Sequence, residues 1–396
     1  MDDDVLSQGG DREPSRWPRR LTVIAVVIAV IAGGAVYLSR PHPRTPAATP
    51  RSQISASPTV SSVPPGPSGI LGQTLAWDPS LRLPDAAPQP VWFSPATGRS
   101  APIGGLPARQ AGYQFTRALG GWAVQARATV AAGCGSCAGL PTPVWFLADG
   151  ARSVTPVGTA NLIAPSATAG VLWLTSYAPG ASMATAAGTA REAGAHGPLL
   201  QPVTLPPGYV IDRGTVRGLL LTPAGQQPGV AVSQLWDPSS RRVTRTFDHV
   251  LAVSPGAIAA MPACSPRCSV AMLSLTTGKH TKVVLPAGNS VTGGSFSPDG
   301  KFLALEVSSG NTGDGGELGL TIEVATVASG RLAVVPGTFV SSDALIGFGW
   351  PAGRDRLVAQ FSFTTKMQLA SWQPGASSSA VTVLRPGPNQ ASLILG

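Results

Sequence analysis

From Ile70 onward, short runs rich in Val, Leu, Trp and Thr alternate with Gly, Pro and Asp turns, and no stretch keeps a helical period through three or four capped turns. The pattern predicts an all-β region over residues 70–396. One turn recurs after an apolar or aromatic strand: VWFSPATG ending at Gly98, VWFLADG at Gly150, QLWDPSS at Ser240, LSLTTG at Gly278, EVATVASG at Gly330 and ASWQPGA at Ala376, with a weaker copy near Ala193. A second turn lies between these and precedes an apolar strand each time: Gly121 before WAVQA, Gly170 before VLWL, Gly218 before LLL, Gly256 before AIAAM, Gly300 before KFLAL and Gly353 before RLVAQ. Two alternating turns per period predict two hairpins per repeat.

The mean step from Gly98 to Ala376 is about 46 residues, close to the roughly 40–50 of a four-stranded propeller blade. The seven copies therefore predict a seven-bladed β-propeller, with six or eight blades as the alternatives. Trp92, Trp145, Trp236 and Trp372 fall just before the first turn, where packing between neighbouring blades is expected of them. After the Ala376 turn only 20 residues remain, too few to finish a blade. A strand from the Ile70–Trp77 region is therefore expected to complete the sheet holding the Val381–Leu395 strands, which removes the exposed edge of an open ring.

Upstream the pattern changes twice. Leu21–Leu38 is an uncharged run of 18 residues, about 27 Å as a helix against a hydrocarbon core of roughly 30 Å. Arg16, Arg19 and Arg20 precede it, Arg40 follows it, and Trp17 and Tyr37 stand where aromatic rings favour the interfaces. A single transmembrane helix over 21–39 is expected, with residues 1–20 as a cytoplasmic tail and the rest extracytoplasmic. A cleaved signal, with Ala32-Gly33-Gly34 supplying small residues, is the alternative and would give a secreted protein; the run exceeds the 7–15 residues of a usual signal core. Residues 40–69, rich in Pro, Ser and Thr, read as a disordered tether.

Composition narrows the function classes. Charged residues make up 12% of the chain, half the usual share. The net charge of +9 comes from scattered arginines without the clustering of a nucleic-acid footprint, so no nucleic-acid partner is expected. The cysteines form two tight pairs, Cys134/Cys137 and Cys264/Cys268, beyond the apolar run. Even numbers in an exported chain suggest disulfides; a redox CxxC or a shared zinc site are the alternatives. Counted along seven repeats, the pairs fall in the second and fifth copies, nearly opposite on a ring. That separation excludes one zinc ion bound by all four sulfurs, and leaves local Cys134–Cys137 and Cys264–Cys268 bridges that stiffen loop tips.

The second turn is fullest at Gly294-Ser-Phe-Ser-Pro-Asp-Gly-Lys-Phe-Leu-Ala-Leu305. Here the sequence resembles the TolB-like and WD-repeat-like β-propellers of bacteria, whose blades carry a similar F-S-P-D-G-K-x-L-A signature, and the Arg-, Gly-, Pro- and Ala-rich composition is similar to that of actinobacterial chains. Physically Ser297, Pro298, Asp299, Gly300 and Lys301 build a turn: Pro298 presets φ, Asp299 bonds its own backbone and Gly300 takes positive φ. The motif specifies fold and carries no chemistry.

No nucleophile elbow and no H-E-x-x-H motif occurs, and His42, His196, His249 and His280 stand apart from any nucleophile pattern, so no catalytic residue, metal or cofactor is assigned. Asn311, Asp314 and Glu317 form an oxygen-rich loop that, with Glu306, is a candidate for part of a calcium site; a solvated hairpin loop is the alternative. Arg241, Arg242 and Arg245 read as charge protecting a sheet edge. Together these features favour a non-enzymatic, membrane-tethered propeller that binds a protein or an envelope polymer through one ring face. The alternative is a hydrolase or lyase using channel carboxylates, with or without calcium.

Overall fold

A computed structural model describes residues 70–74, 89–94, 99–107, 112–127, 137–226, 232–262, 264, 267–309, 319–341, 345–351, 356–363, 366–384 and 391–393. The expected tail, transmembrane helix and tether, over 1–20, 21–39 and 40–69, lie outside these residues. Among the described residues no helix is long and apolar enough to cross a membrane.

The described chain is all-β and forms seven antiparallel sheets, the blades of a seven-bladed propeller. Blade 1 combines β1 (Ile70–Thr74), β2 (Gln89–Ser94) and β3 (Arg99–Pro102) with the last strand of the chain. Blade 2 is β4 (Tyr113–Ala118), β5 (Gly121–Ala126), β6 (Thr142–Ala148) and β7 (Thr155–Ala160). Blade 3 is β8 (Leu162–Pro165), β9 (Val171–Ser176), β10 (Thr189–Gly194), β11 (Gly197–Pro198) and β12 (Val203–Thr204). Blade 4 is β13 (Tyr209–Thr215), β14 (Gly218–Pro223), β15 (Ser233–Asp237) and β16 (Arg242–Phe247). Blade 5 is β17 (Val250–Ser254), β18 (Ala257–Ala260), β19 (Ser269–Ser274) and β20 (His280–Val284). Blade 6 is β21 (Asn289–Phe296), β22 (Phe302–Ser309), β23 (Gly319–Thr326), β24 (Leu332–Val334) and β25 (Val340–Ser341). Blade 7 is β26 (Leu345–Gly349), β27 (Leu357–Phe363), β28 (Lys366–Trp372) and β29 (Ala380–Leu384), and β30 (Ala391–Leu393) returns to blade 1.

First strands of neighbouring blades touch one another and so line the axis, whereas the fourth strands face solvent. Second and third strands are largely covered on both sides, which is why several of them, such as GWAVQA, VLWLTS and GLLLTP, read as nearly continuous apolar runs. In β5 all six residues are buried: Trp122 and Val124 pack toward Leu71 and Trp92 of blade 1, and Ala123 packs toward Leu172 and Leu174 of blade 3. The same alternation gives seven apolar clusters, one between each pair of adjacent blades. Trp92, Trp145, Trp236 and Trp372 all lie buried in these seams. Gly121 must be small, because a Cβ there would collide with the Leu147 carbonyl oxygen and the Phe146 ring.

Ring closure is by β1 and β30, with Gly72 opposite Leu393 and Thr74 opposite Ala391. This corrects the expected sheet in one respect. The strand containing Val381 is the outer strand of blade 7, and only Ala391–Leu393 joins β1. The recurring first turn is the hairpin between third and fourth strands, so Ala376 belongs to a blade that is already complete.

Arg242 and Arg245 lie on the exposed outer strand of blade 4, as edge protection requires. Arg241 is in the turn before it, at φ 54°, and does not share a strand face with Arg245.

Candidate functional site: one mouth of the central channel

In an antiparallel four-stranded blade, the turns after the first and third strands fall at one end, and the remaining connections fall at the other. The two ends differ here. The end carrying the second-to-third-strand loops holds the cysteines. Cys264 and Cys268 are joined by a disulfide in the β18–β19 loop of blade 5. Cys137, in the β5–β6 loop of blade 2, is disulfide-bonded, while Cys134 lies outside the described residues. The Cys137 loop does not stand free: Cys137 bridges Ser182, and the Ala138 N–H donates to the Ala181 carbonyl at 2.9 Å, tying blade 2 to a loop of blade 3.

The opposite end opens into a cavity of about 470 Å³ on the ring axis. Its wall comes from the first strands of blades 2, 4, 5 and 6 and their following turns, with Trp350 after β26 of blade 7. Trp350 is fixed by its indole N–H, which donates to the Ser295 carbonyl at 3.0 Å, and by stacking on Phe302. Four of these first strands carry an extra residue in their pairing: Asp212 in β13, Leu251 in β17, Thr292 in β21 and Ile346 in β26. A bulge of this kind breaks the strict alternation of faces and re-aims side chains. In blade 4 it brings two successive charged residues, Asp212 and Arg213, to the same cavity.

Four charged side chains line this mouth. Arg117 of β4 and Asp149 of the β6–β7 turn form a two-pronged pair, with Nη1 to Oδ1 at 2.6 Å and Nη2 to Oδ2 at 2.9 Å. Arg117 also donates to the Gly121 carbonyl at 3.0 Å and lies 5.2 Å over the Trp122 ring. Three of its donors and one face of the guanidinium are thereby committed. Arg213 is placed differently. Its Nη2 reaches the Arg117 carbonyl at 3.4 Å, a long contact linking blades 4 and 2 on either side of blade 3, and among the described residues it forms no ion pair. Enclosure lowers the Arg213 pKa against the opposing pull of Asp212, and the Arg117 charge lowers it further. Asp212 is open to the channel but surrounded by blades; the loss of bulk water raises its pKa, and Arg213 only partly offsets this.

The Ser297–Lys301 turn rims the same mouth, with Ser297 and Pro298 lining it. The Ser297 hydroxyl donates to Asp299 Oδ1 at 2.7 Å and accepts from the Phe302 N–H at 3.0 Å, Lys301 N–H donates to the same Asp299 oxygen at 3.0 Å, and Gly300 sits at φ 70°. Burial alone would raise the Asp299 pKa; hydrogen bonds from Lys301 and Ser297 outweigh it and leave it lowered. These five residues therefore shape the rim and leave the mouth charges to others.

Asn311, Asp314 and Glu317 lie outside the described residues. The described residues hold no group of three or more His, Cys, Asp or Glu side chains placed to hold a metal ion. Asp212 and Arg213 were not singled out in the sequence, because a charged pair in V-I-D-R-G reads as an ordinary strand face; only the bulge reveals that both reach the axis.

No protein-family model matches the chain, and no curated protein does. Solved structures with similar folds include a prolyl endopeptidase (13% identity, TM-score 0.47, covering 78% of this chain and 48% of that one). Others are a protein from Lactobacillus plantarum (11%, 0.44, covering 83% and 96%) and TolB from Acinetobacter baumannii (12%, 0.37, covering 74% and 77%). The chain thus spans about half the length of the prolyl endopeptidase.

Proposed function

We propose that this chain is a membrane-tethered, extracytoplasmic binding module whose ligand or partner docks at the channel mouth formed by the first and third turns of the blades. The single observation that carries this reading is the cavity itself: about 470 Å³ on the ring axis, walled by backbone and side chains from several blades and rimmed by ordered turns. That volume lies in the range of roughly 300–1,000 Å³ typical of ligand sites. Of the two carboxylates that line it, Asp149 is held by Arg117, an arrangement better suited to holding shape than to acid–base work. The membrane tether is supported by the 18-residue apolar run with its preceding arginines, and an extracytoplasmic location by the disulfide chemistry.

Photo-crosslinking residues placed in the full chain in intact cells test the docking face. Positions Leu119 and Pro255, at the mouth, are expected to capture a partner, whereas Leu140 and Phe339, exposed on connections at the cysteine-bearing end, are expected to stay silent. Capture confined to Leu140 and Phe339 would refute the assignment.

A further inference from the structure

The binding-module reading leaves open what the mouth recognises, and the following inference rests on it. We infer that Arg213 is an anion-docking residue, which accepts one carboxylate or phosphate group of the ligand inside the channel mouth. The two arginines of the mouth differ in how far their donors are used. Arg117 is engaged by Asp149 and the Gly121 carbonyl through three hydrogen bonds, and by the Trp122 ring through its face. A guanidinium offers five N–H donors in a planar fork matched to carboxylate and phosphate oxygens. Among the described residues Arg213 uses one of them, in a 3.4 Å contact to a carbonyl.

Its position explains why this matters. Arg213 is half-buried in the cavity wall, where surrounding blades deplete water, so a charged partner at that point interacts more strongly than on an open surface. Asp212 is the nearest opposite charge, yet the two form no ion pair among the described residues. The charged groups facing Arg213 across the mouth are Asp212 on its own strand, Arg117 on β4 and Asp149 in the β6–β7 turn. Since Arg117 and Asp149 neutralise each other, the incoming anion meets the attraction of Arg213 and the repulsion of Asp212. The two neighbours should therefore act in opposite directions on affinity.

That opposition provides the test. Inorganic phosphate and citrate are titrated at neutral pH into the full chain in detergent by calorimetry, for wild type, Arg213→Gln, Arg213→Lys and Asp212→Asn. The expected result is binding by wild type, a loss of about tenfold or more in Arg213→Gln, an intermediate loss in Arg213→Lys, which keeps the charge without the fork, and tighter binding in Asp212→Asn. Whichever probe binds more tightly identifies the head group, and either order supports the site. Equal binding by Arg213→Gln and wild type, or weaker binding by Asp212→Asn, would overturn it. Melting temperatures measured alongside separate loss of fold from loss of site, and the Asp212→Asn gain cannot arise from unfolding. Failure here with crosslinks intact at Leu119 and Pro255 would remove the anion site and leave the docking face standing.

Discussion

Ring closure offers the largest single perturbation that leaves every internal blade untouched. Deleting residues 70–74 removes β1, whose Ile70 and Leu71 are 4% and 1% exposed and serve two different seams. Burial of two such side chains is worth about 1.5–3 kcal/mol each. The strand also pairs at five positions with β2 and at three with β30. At about 0.5–1.5 kcal/mol net per ladder bond, those eight positions add roughly 4–12 kcal/mol. The total, about 7–18 kcal/mol, is comparable to the ~5–15 kcal/mol that holds an ordinary domain together, so the deletion should abolish cooperative folding. Removing only 391–396 takes away three paired positions and should lower the melting temperature by on the order of 5 °C while the ring still folds. Deleting residues 41–66 should leave the melting temperature unchanged. Circular dichroism melts of the three deletions, read against the intact chain, settle the matter. If loss of 70–74 is as neutral as loss of 41–66, then β1 does not close the ring and the account of the fold fails.

Three further substitutions probe buried polar groups. Gln125 and Gln360 occupy matching places in the second strands of blades 2 and 7, within WAVQA and LVAQF. The Gln125 amide donates to the Ala160 carbonyl at 2.9 Å and to Thr142 Oγ1 at 3.1 Å, whereas the Gln360 side chain, 1% exposed, has no hydrogen-bond partner among the described residues. Leu at 125 should therefore cost about 1–3 kcal/mol, and Leu at 360 should be neutral or stabilising, by denaturant titration. Glu323 in β23 is 5% exposed, and burial raises its pKa. A raised carboxyl pKa means stability present below the unfolded value and lost as pH rises through the folded one, so Glu323→Gln should gain stability over wild type at neutral pH and match it in acid. Equal pH profiles for the two proteins would show that Glu323 is not buried as the fold places it.

What was legible in the sequence follows from what each feature depends on. The blades depend on local alternation and on turn chemistry, and both are written in the chain: SPDG at 297–300 and the apolar runs at WAVQA and LVAQF are each sufficient to place a hairpin or a doubly covered strand. Cys264 and Cys268 are close in sequence, so their proximity in space needed no knowledge of the fold. The mouth depends on something else. Asp212 lies 63 residues from Asp149 and Arg213 lies 96 from Arg117, and what brings them together is ring geometry plus a one-residue bulge that leaves no composition signal. The place of Val381 in blade 7 is not written in the turn spacing either. Turn spacing counts hairpins without saying which pair of strands each one joins.

A crystal structure of the full chain grown with the tighter-binding of phosphate and citrate tests the proposed Arg213 site most directly. The prediction is an anion within hydrogen-bond distance of the Arg213 guanidinium, inside the wall formed by Ala252, Ser254, Ser295 and Trp350, with the Arg117–Asp149 pair undisturbed. An anion bound only at the cysteine-bearing end, with the Arg213 guanidinium unoccupied or paired with Asp212, would contradict it.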